Sequence, residues 1–220
     1  MRKTRTPRMV HPALGHLSKA DPAMRKLIRG VGPCRLVPQR RHPPYETLVR
    51  AIAHQQLNGR AAQTILDRFI ALFPGKRFPD PEDIRRTSTG TLRRAGFSRA
   101  KIRAIKHIAL RAAAGAVPTR RAAARMSDDD LIGQLTQLRG VGPWTVQMLL
   151  MFTLGRPDVL PADDFGIREG FRITYGLRKQ PTPRQVLLHG ERWRPYRTIA
   201  SWYLWRAVER ARDRKRSAAN

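Results

Sequence analysis

Hydrophobic residues recur along most of this chain at the three- and four-residue spacing of an amphipathic helix. The clearest stripe consists of Ile102, Ile105, Ile108 and Ala109. Similar stripes run through YETLVRAIAHQQL, GRAAQTILDRFIALFPG, SDDDLIGQLTQL, PWTVQMLLMFTLG and YRTIASWYLWRAVERAR. No convincing run has the period of two that a half-buried strand requires. The pattern therefore predicts an all-α fold of about ten short helices with short connections.

Capping residues mark the ends of several of these helices. Asp21 followed by Pro22 is typical of a helix start, and Gly30 is typical of a helix end. Ser127 stands at the N-cap position of a later helix, with acidic residues in its first turn. Residues 31–44 contain glycine, several prolines and a basic run, so we predict a linker there.

The two ends of the chain are rich in basic residues. We expect residues 1–20 to form a loose basic arm and residues 213–220 to form a basic tail that frays. No apolar segment follows the charged N-terminus, so a secretory signal is not expected, and no stretch approaches the roughly 20 apolar residues of a membrane span. The single cysteine, Cys34, excludes an internal disulfide framework and a metal site built from four cysteines of this chain. These features predict a cytoplasmic protein in a reducing compartment.

The excess of positive charge narrows the class of partner. The 220 residues include 44 Lys and Arg against 16 Asp and Glu, which gives a net charge of +28. A chain this basic is attracted to polyanions, of which nucleic acid is the commonest and an anionic membrane surface is the alternative. A codon bias toward arginine would exchange Lys for Arg, but it does not explain so few acidic residues. We therefore predict a nucleic-acid-binding protein.

A Gly-x-Gly turn, Gly140 to Gly142, lies where one helical stripe ends near Leu138 and the next begins at Pro143. Two helices joined in this way form a helix–hairpin–helix, in which glycine permits positive φ angles and exposes backbone N–H groups. Such N–H groups at a helix start attract an anion, and for a basic protein the natural anion is a DNA phosphate. A plain turn between helices is one alternative. A nucleotide-binding loop is another, but it requires a preceding strand, which this segment lacks.

Two adjacent acids, Asp163 and Asp164, follow a proline-containing extended stretch and precede a helical segment. Capping of that helix is one interpretation, because Asp favours the N-cap and the first turn. Acids are nevertheless costly near DNA phosphates. Stabilisation of a cation during a reaction is therefore the other interpretation.

Four separate stretches resemble the helix–hairpin–helix superfamily of base-excision DNA glycosylases, and within it the 3-methyladenine DNA glycosylase II, or alkylpurine, branch. They are LVRAIAHQQLNGRAA, LRRAGFSRAKIRAI, LRGVGPWTVQM with DVLPADDFGIR, and ERWRPYRTIASWYLWR, and together they span about residues 48–206. The resemblance is to the compact form, which lacks the N-terminal β-rich domain of the large bacterial member. It implies one glycosylase domain over residues 21–212. Two helical lobes are expected, lobe one at about 44–153 and lobe two at about 21–43 plus 155–212, with an active-site cleft between them.

The resemblance implies that Asp164 is the catalytic aspartate and that Asp163 is its capping neighbour. A carboxylate near C1′ of the deoxyribose would stabilise an oxocarbenium-like state and orient or deprotonate the attacking water. Bifunctional relatives place a lysine nucleophile where this chain has Trp144. The implied enzyme is therefore monofunctional: it flips alkylated bases such as 3-methyladenine out of duplex DNA, hydrolyses the N-glycosidic bond and leaves an abasic site.

The resemblance also implies the lining of the base pocket. Trp144 and Trp205 match aromatic walls, whose π-faces would attract a cationic alkylated base. Tyr45 and Arg206 complete the expected lining. Arg206 stands where a relative carries an aromatic residue, which leaves the range of bases open. The tryptophans expected in the core are Trp193 and Trp202.

Gln56 and Leu57 match the wedge of the family, which enters the base stack in the gap left by the flipped nucleotide. Gln55 or Gln56 would hydrogen-bond to nearby bases. Without the resemblance, Leu57 would be interpreted as an ordinary core leucine. His54 is expected to be structural or to line the pocket.

The hairpin departs from the family pattern at Arg139, which replaces a proline and adds a cation that reaches phosphate. The residues expected to bind phosphate are Arg139, Gly140, Val141, Gly142 and Thr145. The resemblance further implies a structural monovalent cation held by the backbone carbonyls of Thr136, Leu138 and Gly140, with no other cofactor required.

The expected partner is double-stranded DNA with alkylated bases, bound by a monomer that has no membrane partner and, in a bacterium, is associated with the nucleoid. Two other functions stay open. One is a glycosylase for other damaged bases, such as uracil, hypoxanthine or oxidised purines. The other is a non-catalytic helix–hairpin–helix module that binds DNA.

Overall fold

The computed structural model describes residues 10–39, 41–57 and 59–217, and thirteen α-helices account for most of these residues. The helices are α1 (Val10–Ala20), α2 (Pro22–Val31), α3 (Pro44–His54), α4 (Gly59–Ala71), α5 (Pro81–Arg86), α6 (Thr89–Arg94), α7 (Arg99–Ala113), α8 (Arg120–Ala123), α9 (Asp128–Leu135), α10 (Pro143–Leu149), α11 (Phe165–Tyr175), α12 (Pro183–Gly190) and α13 (Arg197–Ser217). A π-helical turn, Leu150–Leu154, continues α10, and a 3₁₀ turn, Glu191–Trp193, follows α12. The described ranges contain no β-strand. The predicted all-α fold is therefore confirmed.

The capping signals operate largely as predicted. The Asp21 carboxylate accepts a hydrogen bond from the Met24 N–H at 3.0 Å and starts α2. The Ser127 hydroxyl does the same for α9, from the Asp130 N–H at 3.0 Å. The predicted end of α2 at Gly30 is wrong by one residue, because the helix continues to Val31. Gly32, with φ of 85°, follows the helix and donates its N–H to the Ile28 carbonyl at 2.9 Å.

The two ends of the chain are more helical than predicted. Part of the expected loose arm is α1, which buries Val10, Ala13 and Leu17 at helical spacing. Residues 1–9 of that arm lie outside the described residues. Part of the expected fraying tail is also helical, because α13 continues to Ser217, whereas residues 218–220 again lie outside the described residues.

The chain divides into two compact units. One comprises residues 39–154, and the other combines the segment that ends at Pro38 with the segment that begins at Gly155. The predicted lobe one began five residues later, at 44, because the basic stretch before α3 was interpreted as a linker of the other lobe. We call these the hairpin unit and the aspartate unit, after the motifs they contain.

In the hairpin unit, α7 packs against α3 and α5. The core beside them is aromatic: the ring of Phe69 makes edge-to-face contacts with Phe73, Phe78 and Phe97, at centroid distances of 5.3 to 5.9 Å. Edge-to-face pairs of this kind add about 0.5–1.5 kcal/mol each beyond burial. The hairpin between α9 and α10 belongs to the same unit, and α10 packs against α3.

In the aspartate unit, α11 and α13 approach each other at Gly170. A Cβ at this position would lie 2.1 Å from the carbonyl oxygen of Leu204, so only glycine fits. The close approach holds α11 against α13, one turn beyond the start of α11. Asp164 lies at this start of α11.

A buried carboxylate ties together four segments of the aspartate unit. Asp21 is 2% exposed and accepts hydrogen bonds from the Tyr175 hydroxyl, His189 Nε2 and Trp193 Nε1, besides its bond from the N–H of Met24. Burial alone would raise the pKa of Asp21, but these hydrogen bonds outweigh it and hold the pKa well below its ordinary value. The network is a structural element of this unit and lies among α2, α11, α12 and the 3₁₀ turn.

Candidate active site

The hairpin is held to the helices beneath it through its backbone. Gly140 has φ of 80°, and a Cβ there would lie 3.0 Å from the Cβ of Ala104 in α7. Gln55 Nε2 donates to the Gly140 carbonyl at 2.9 Å, and the Arg139 N–H donates to His107 Nδ1 at 3.0 Å. Glycine at 140 is therefore required by the turn itself. The amide of Gln55, which with Gln56 is a candidate for contact with DNA bases, donates to the hairpin and braces it.

Gly142 is a glycine of a different kind. Its φ of −96° suits any residue, and no atom lies within 4 Å of the position that a Cβ would occupy. It is the N-cap of α10, and its own N–H has no acceptor among the described residues. Neither conformation nor internal packing explains the missing side chain. A group that approaches from outside the chain would explain it.

Two residues of the predicted phosphate site, Val141 and Thr145, are buried, and their N–H groups bond within the hairpin. Val141 is 5% exposed and its N–H donates to the Leu138 carbonyl at 3.0 Å. Thr145 is 4% exposed and its N–H donates to the Gly142 carbonyl at 3.0 Å. Both N–H groups close turns of the hairpin. The exposed part of the predicted set is therefore Arg139, Gly140 and Gly142.

The hairpin unit exposes two large apolar side chains where the sequence predicted contact with DNA. Trp144, at the second position of α10, is 45% exposed, which does not fit a core tryptophan that braces the hairpin. Leu57 is 40% exposed in the turn after α3, which does not fit a core leucine. Gln56 beside it has φ of 56°, the only positive value for a non-glycine residue in the described part of the chain. Such backbone strain persists where the surroundings impose it, often at a functional turn.

Tyr45 lies in the first turn of α3, half-buried, with its ring edge-on to Phe78 at 6.2 Å. Its hydroxyl is buried and has no hydrogen-bond partner among the described residues. Burial raises the pKa of Tyr45 above its ordinary value. His54 lies at the other end of α3, and burial with the nearby cations Arg50 and Lys101 lowers its pKa.

Asp164 is the N-cap of α11 and is held by two donors. Its Oδ1 accepts from the N–H of Ile167 at 2.8 Å and from the indole Nε1–H of Trp205 at 2.8 Å. The prediction that Asp163 would do the capping is wrong, because Asp163 is exposed and Asp164 caps the helix itself. Asp164 thus caps the helix and is also available for the other interpretation, stabilisation of a cation during a reaction.

The indole of Trp205 is positioned by a glycine. A Cβ on Gly166 would lie 2.8 Å from Trp205 Cδ1, so the ring rests directly against the first turn of α11. The family resemblance implies a place for Trp205 in the base pocket, but it does not imply the bond to Asp164. The two residues are 41 apart in the chain, and no local pattern links them.

Arg206 follows Trp205 on α13. Its guanidinium lies 5.3 Å from the ring centroid of Trp202 and pairs with Glu209 on the next turn. Its Nε is buried without a hydrogen-bond partner among the described residues. The prediction that Trp202 is a core residue is wrong, since it is half-buried beneath this cation, whereas the predicted core residue Trp193 is fully buried.

The cation site that the resemblance implies would be built from backbone carbonyl oxygens of the hairpin. The Leu138 carbonyl accepts from the Val141 N–H and the Gly140 carbonyl accepts from Gln55, but each oxygen has a second lone pair. Hard oxygen donors suit hard cations. The described residues contain no cluster of three His, Cys, Asp or Glu side chains that could hold a metal ion. Carbonyl oxygens, with that of Thr136, would therefore have to supply the ligands.

The HhH-GPD superfamily of base excision DNA repair proteins matches residues 49–195 of this chain. The match spans most of the hairpin unit and continues through Asp164 into the aspartate unit. The chain belongs to this superfamily. None of its described helices is long and apolar enough to cross a membrane.

Individual relatives place the chain within the superfamily. It is 45% identical over 199 residues to DNA-3-methyladenine glycosylase 1 of Schizosaccharomyces pombe, which covers 89% of this chain and 86% of the relative. The structure of the 3-methyladenine DNA glycosylase Mag1 of that yeast, in complex with abasic DNA, has a TM-score of 0.80 at 45% identity and covers 88% of this chain and 95% of that one. A DNA-3-methyladenine glycosidase from Bacillus halodurans has a TM-score of 0.80 at 32% identity and covers 89% and 88% of the two chains.

Proposed function

We propose that this protein is a monofunctional DNA glycosylase that removes alkylated bases, such as 3-methyladenine, from duplex DNA. The observation that carries the proposal is the carboxylate of Asp164, held at one oxygen by the indole of Trp205 and the first turn of α11. The relatives named 3-methyladenine DNA glycosylase, at up to 45% identity, support the substrate class.

Asp164 would act on the sugar rather than on the base. An alkylated purine is already cationic and leaves readily, so the main demand is to stabilise the positive charge that grows on the deoxyribose. A fixed carboxylate does this without reorganisation, and it can accept a proton from the attacking water. Two donors on the same oxygen fix the direction in which the carboxylate points. Trp205 is thus a positioning residue for Asp164.

Trp144 supports the monofunctional part of the proposal. The exposed indole stands where a lyase would need the amine of a lysine, and an indole forms no Schiff base with the sugar. Its π-face attracts a cationic ring by about 0.5–2 kcal/mol, which favours an alkylated base over a neutral one. Tyr45 and Arg206 would complete the pocket, with Arg206 setting the range of bases.

The hairpin would bind the DNA backbone, and the turn that contains Leu57 would enter the base stack. The exposed N–H of Gly142 and the guanidinium of Arg139 would hold a phosphate, and Leu57 would fill the stack after the base is flipped. A monovalent cation on the carbonyls of Thr136, Leu138 and Gly140 would add positive charge beside that phosphate. We propose that the protein binds DNA as a monomer.

Base release from chemically methylated duplex DNA tests this function. The expected products are free 3-methyladenine and an abasic strand that breaks only after alkali treatment, with no protein trapped on DNA by borohydride. The same assay on duplexes that contain 7-methylguanine, ethenoadenine, hypoxanthine or uracil determines which bases the protein removes. Trapping by borohydride would overturn monofunctionality. Equal affinity for intact and abasic-analogue DNA, with no base released, would show a binding module instead.

A further inference from the structure

A basic groove lies beside the hairpin, in the hairpin unit. Three cations of α7, Arg99, Arg103 and Lys106, line it with Arg139 of the hairpin, and Ile102 forms its apolar floor. Its volume is about 460 Å³. We call it the α7 groove. The proposed contacts of the hairpin with phosphate do not include α7.

The three α7 cations share one face of the helix. Their spacing of four and then three residues puts them in a row about 10 Å long at 1.5 Å per residue. Arg99 and Arg103 are exposed, and none of the three forms an ion pair within the described part of the chain. Lys106 donates to the backbone carbonyl of Arg85 at 3.1 Å, which leaves its charge uncompensated. The groove therefore concentrates positive charge on a concave surface.

The cations of this groove differ in their position from the many other cations of a chain with net charge +28, because they lie next to the hairpin. The hairpin rests on α7 itself, through the approach of Gly140 to Ala104 and the bond from Arg139 to His107. These contacts lie one turn or less from Arg103. A polyanion bound at the hairpin would therefore extend directly onto the row of α7 cations.

The chemistry favours a phosphodiester backbone over an acidic peptide. The groove has a single buried apolar side chain in its floor, so it offers little to anchor a hydrophobic residue of a peptide. Phosphates follow one another at about 3.4 Å of helix axis per strand, so a row about 10 Å long faces two or three of them.

We propose that the α7 groove binds successive phosphates of the DNA strand next to the phosphate held by the hairpin. This inference rests on the proposed function insofar as both require DNA binding. It assigns Arg99, Arg103 and Lys106 to affinity and to strand register. They do not act on the base that is removed.

The test is the salt dependence of DNA binding, measured by fluorescence anisotropy on a duplex with an abasic-site analogue. The double variant Arg99→Gln/Arg103→Gln removes two groove cations. The matched control Arg68→Gln/Arg111→Gln removes two exposed cations of the same unit outside the groove. Glutamine retains helix propensity, and circular dichroism confirms that both variants fold.

The groove variant is expected to weaken binding at least tenfold near 0.1 M salt. It should also reduce the slope of log K against log salt by about 1.8, because each lost phosphate contact removes about 0.9. The control should stay within twofold of the wild type. Single-turnover base release at saturating enzyme should be unchanged in the control. Equal slopes for groove variant and control would overturn the inference, even if the wild type releases alkylated bases. A slope difference without base release would uphold the groove and overturn the proposed function.

Discussion

The two glycines of the hairpin should respond to the same substitution in opposite ways. Gly140→Ala places a side chain at φ of 80°, 3.0 Å from the Cβ of Ala104 and 3.3 Å from Ile52 Cδ1. The left-handed conformation costs about 1–2 kcal/mol and the crowding about 1–3 kcal/mol. We therefore expect about 3 kcal/mol of lost stability, a large part of the total for a natural domain.

Gly142→Ala should change stability little. Alanine adopts φ of −96° without strain, its Cβ meets no atom within 4 Å, and the unfolded chain loses entropy worth about 0.4–1 kcal/mol. Alanine is a poorer N-cap than glycine, which offsets that gain. The new methyl group would stand where a phosphate reaches the N–H of residue 142. Loss of one charge-assisted hydrogen bond, about 1.5–3 kcal/mol, corresponds to at least a tenfold weaker affinity for DNA.

Urea denaturation followed by circular dichroism, together with fluorescence anisotropy on duplex DNA, separates the two effects. The denaturation midpoint of Gly140→Ala should fall by about 1 M, and that of Gly142→Ala should change little. Wild-type affinity in the Gly142→Ala variant would refute the argument that an external group explains this glycine. Wild-type stability in Gly140→Ala would refute the account of how the hairpin is seated.

Three further predictions concern the aspartate unit. Because the fold lowers the pKa of Asp21, the stability that its carboxylate contributes is present above the unfolded pKa of about 4 and is lost as pH falls through the folded value. Asp21→Asn should therefore lower the free energy of unfolding by about 3 kcal/mol at pH 7. In denaturant titrations this loss should shrink below about pH 4, and a loss that does not depend on pH would contradict the network. Burial raises the pKa of the Cys34 thiol to about 11, so a disulfide reagent at pH 8 should modify it only as fast as the protein unfolds, and rapid labelling of the native protein would refute this. Trp205→Phe retains a ring against Gly166 but removes the donor to Asp164. The rate of single-turnover base release should therefore fall about tenfold, while the thermal unfolding midpoint stays unchanged. The control Trp202→Phe should retain the wild-type rate, and equal rates for the two variants would disprove the positioning role of Trp205.

Local features of this chain could be predicted because their cause lies within a few residues. Asp21 and Ser127 cap their helices through N–H groups three positions ahead. The positive φ of Gly140 likewise follows from a turn between two helical stripes. Each of these features depends mainly on residues that are close in sequence.

Short or interrupted helices escaped prediction for a different physical reason. A helix of six residues, such as α5, or of four, such as α8, is too short for a hydrophobic period to repeat. The stripe of α1 has only Val10, Ala13 and Leu17 within a basic segment, so the segment was interpreted by its charge. Packing against the rest of the aspartate unit stabilises α1, and that packing is not a local property.

The candidate site shows the same limit. The resemblance to a family identified Asp164 and Trp205, but their hydrogen bond joins the first turn of one helix to another helix far along the chain. The inward-facing N–H groups of Val141 and Thr145 depend on the detailed course of the turn. Residue types and spacing indicate which groups are present, and tertiary packing decides which of them face outward.

Single-turnover release of 3-methyladenine by Asp164→Asn, beside Asp163→Asn, tests the central claim most directly. Asparagine at 164 can still accept the Ile167 N–H and cap α11, so the fold is retained while the negative charge is lost. Asp163 is an exposed neighbour of the same charge. We predict a loss of about 10²–10⁴ in rate for Asp164→Asn and a rate within twofold of the wild type for Asp163→Asn. Wild-type release by Asp164→Asn would contradict the account.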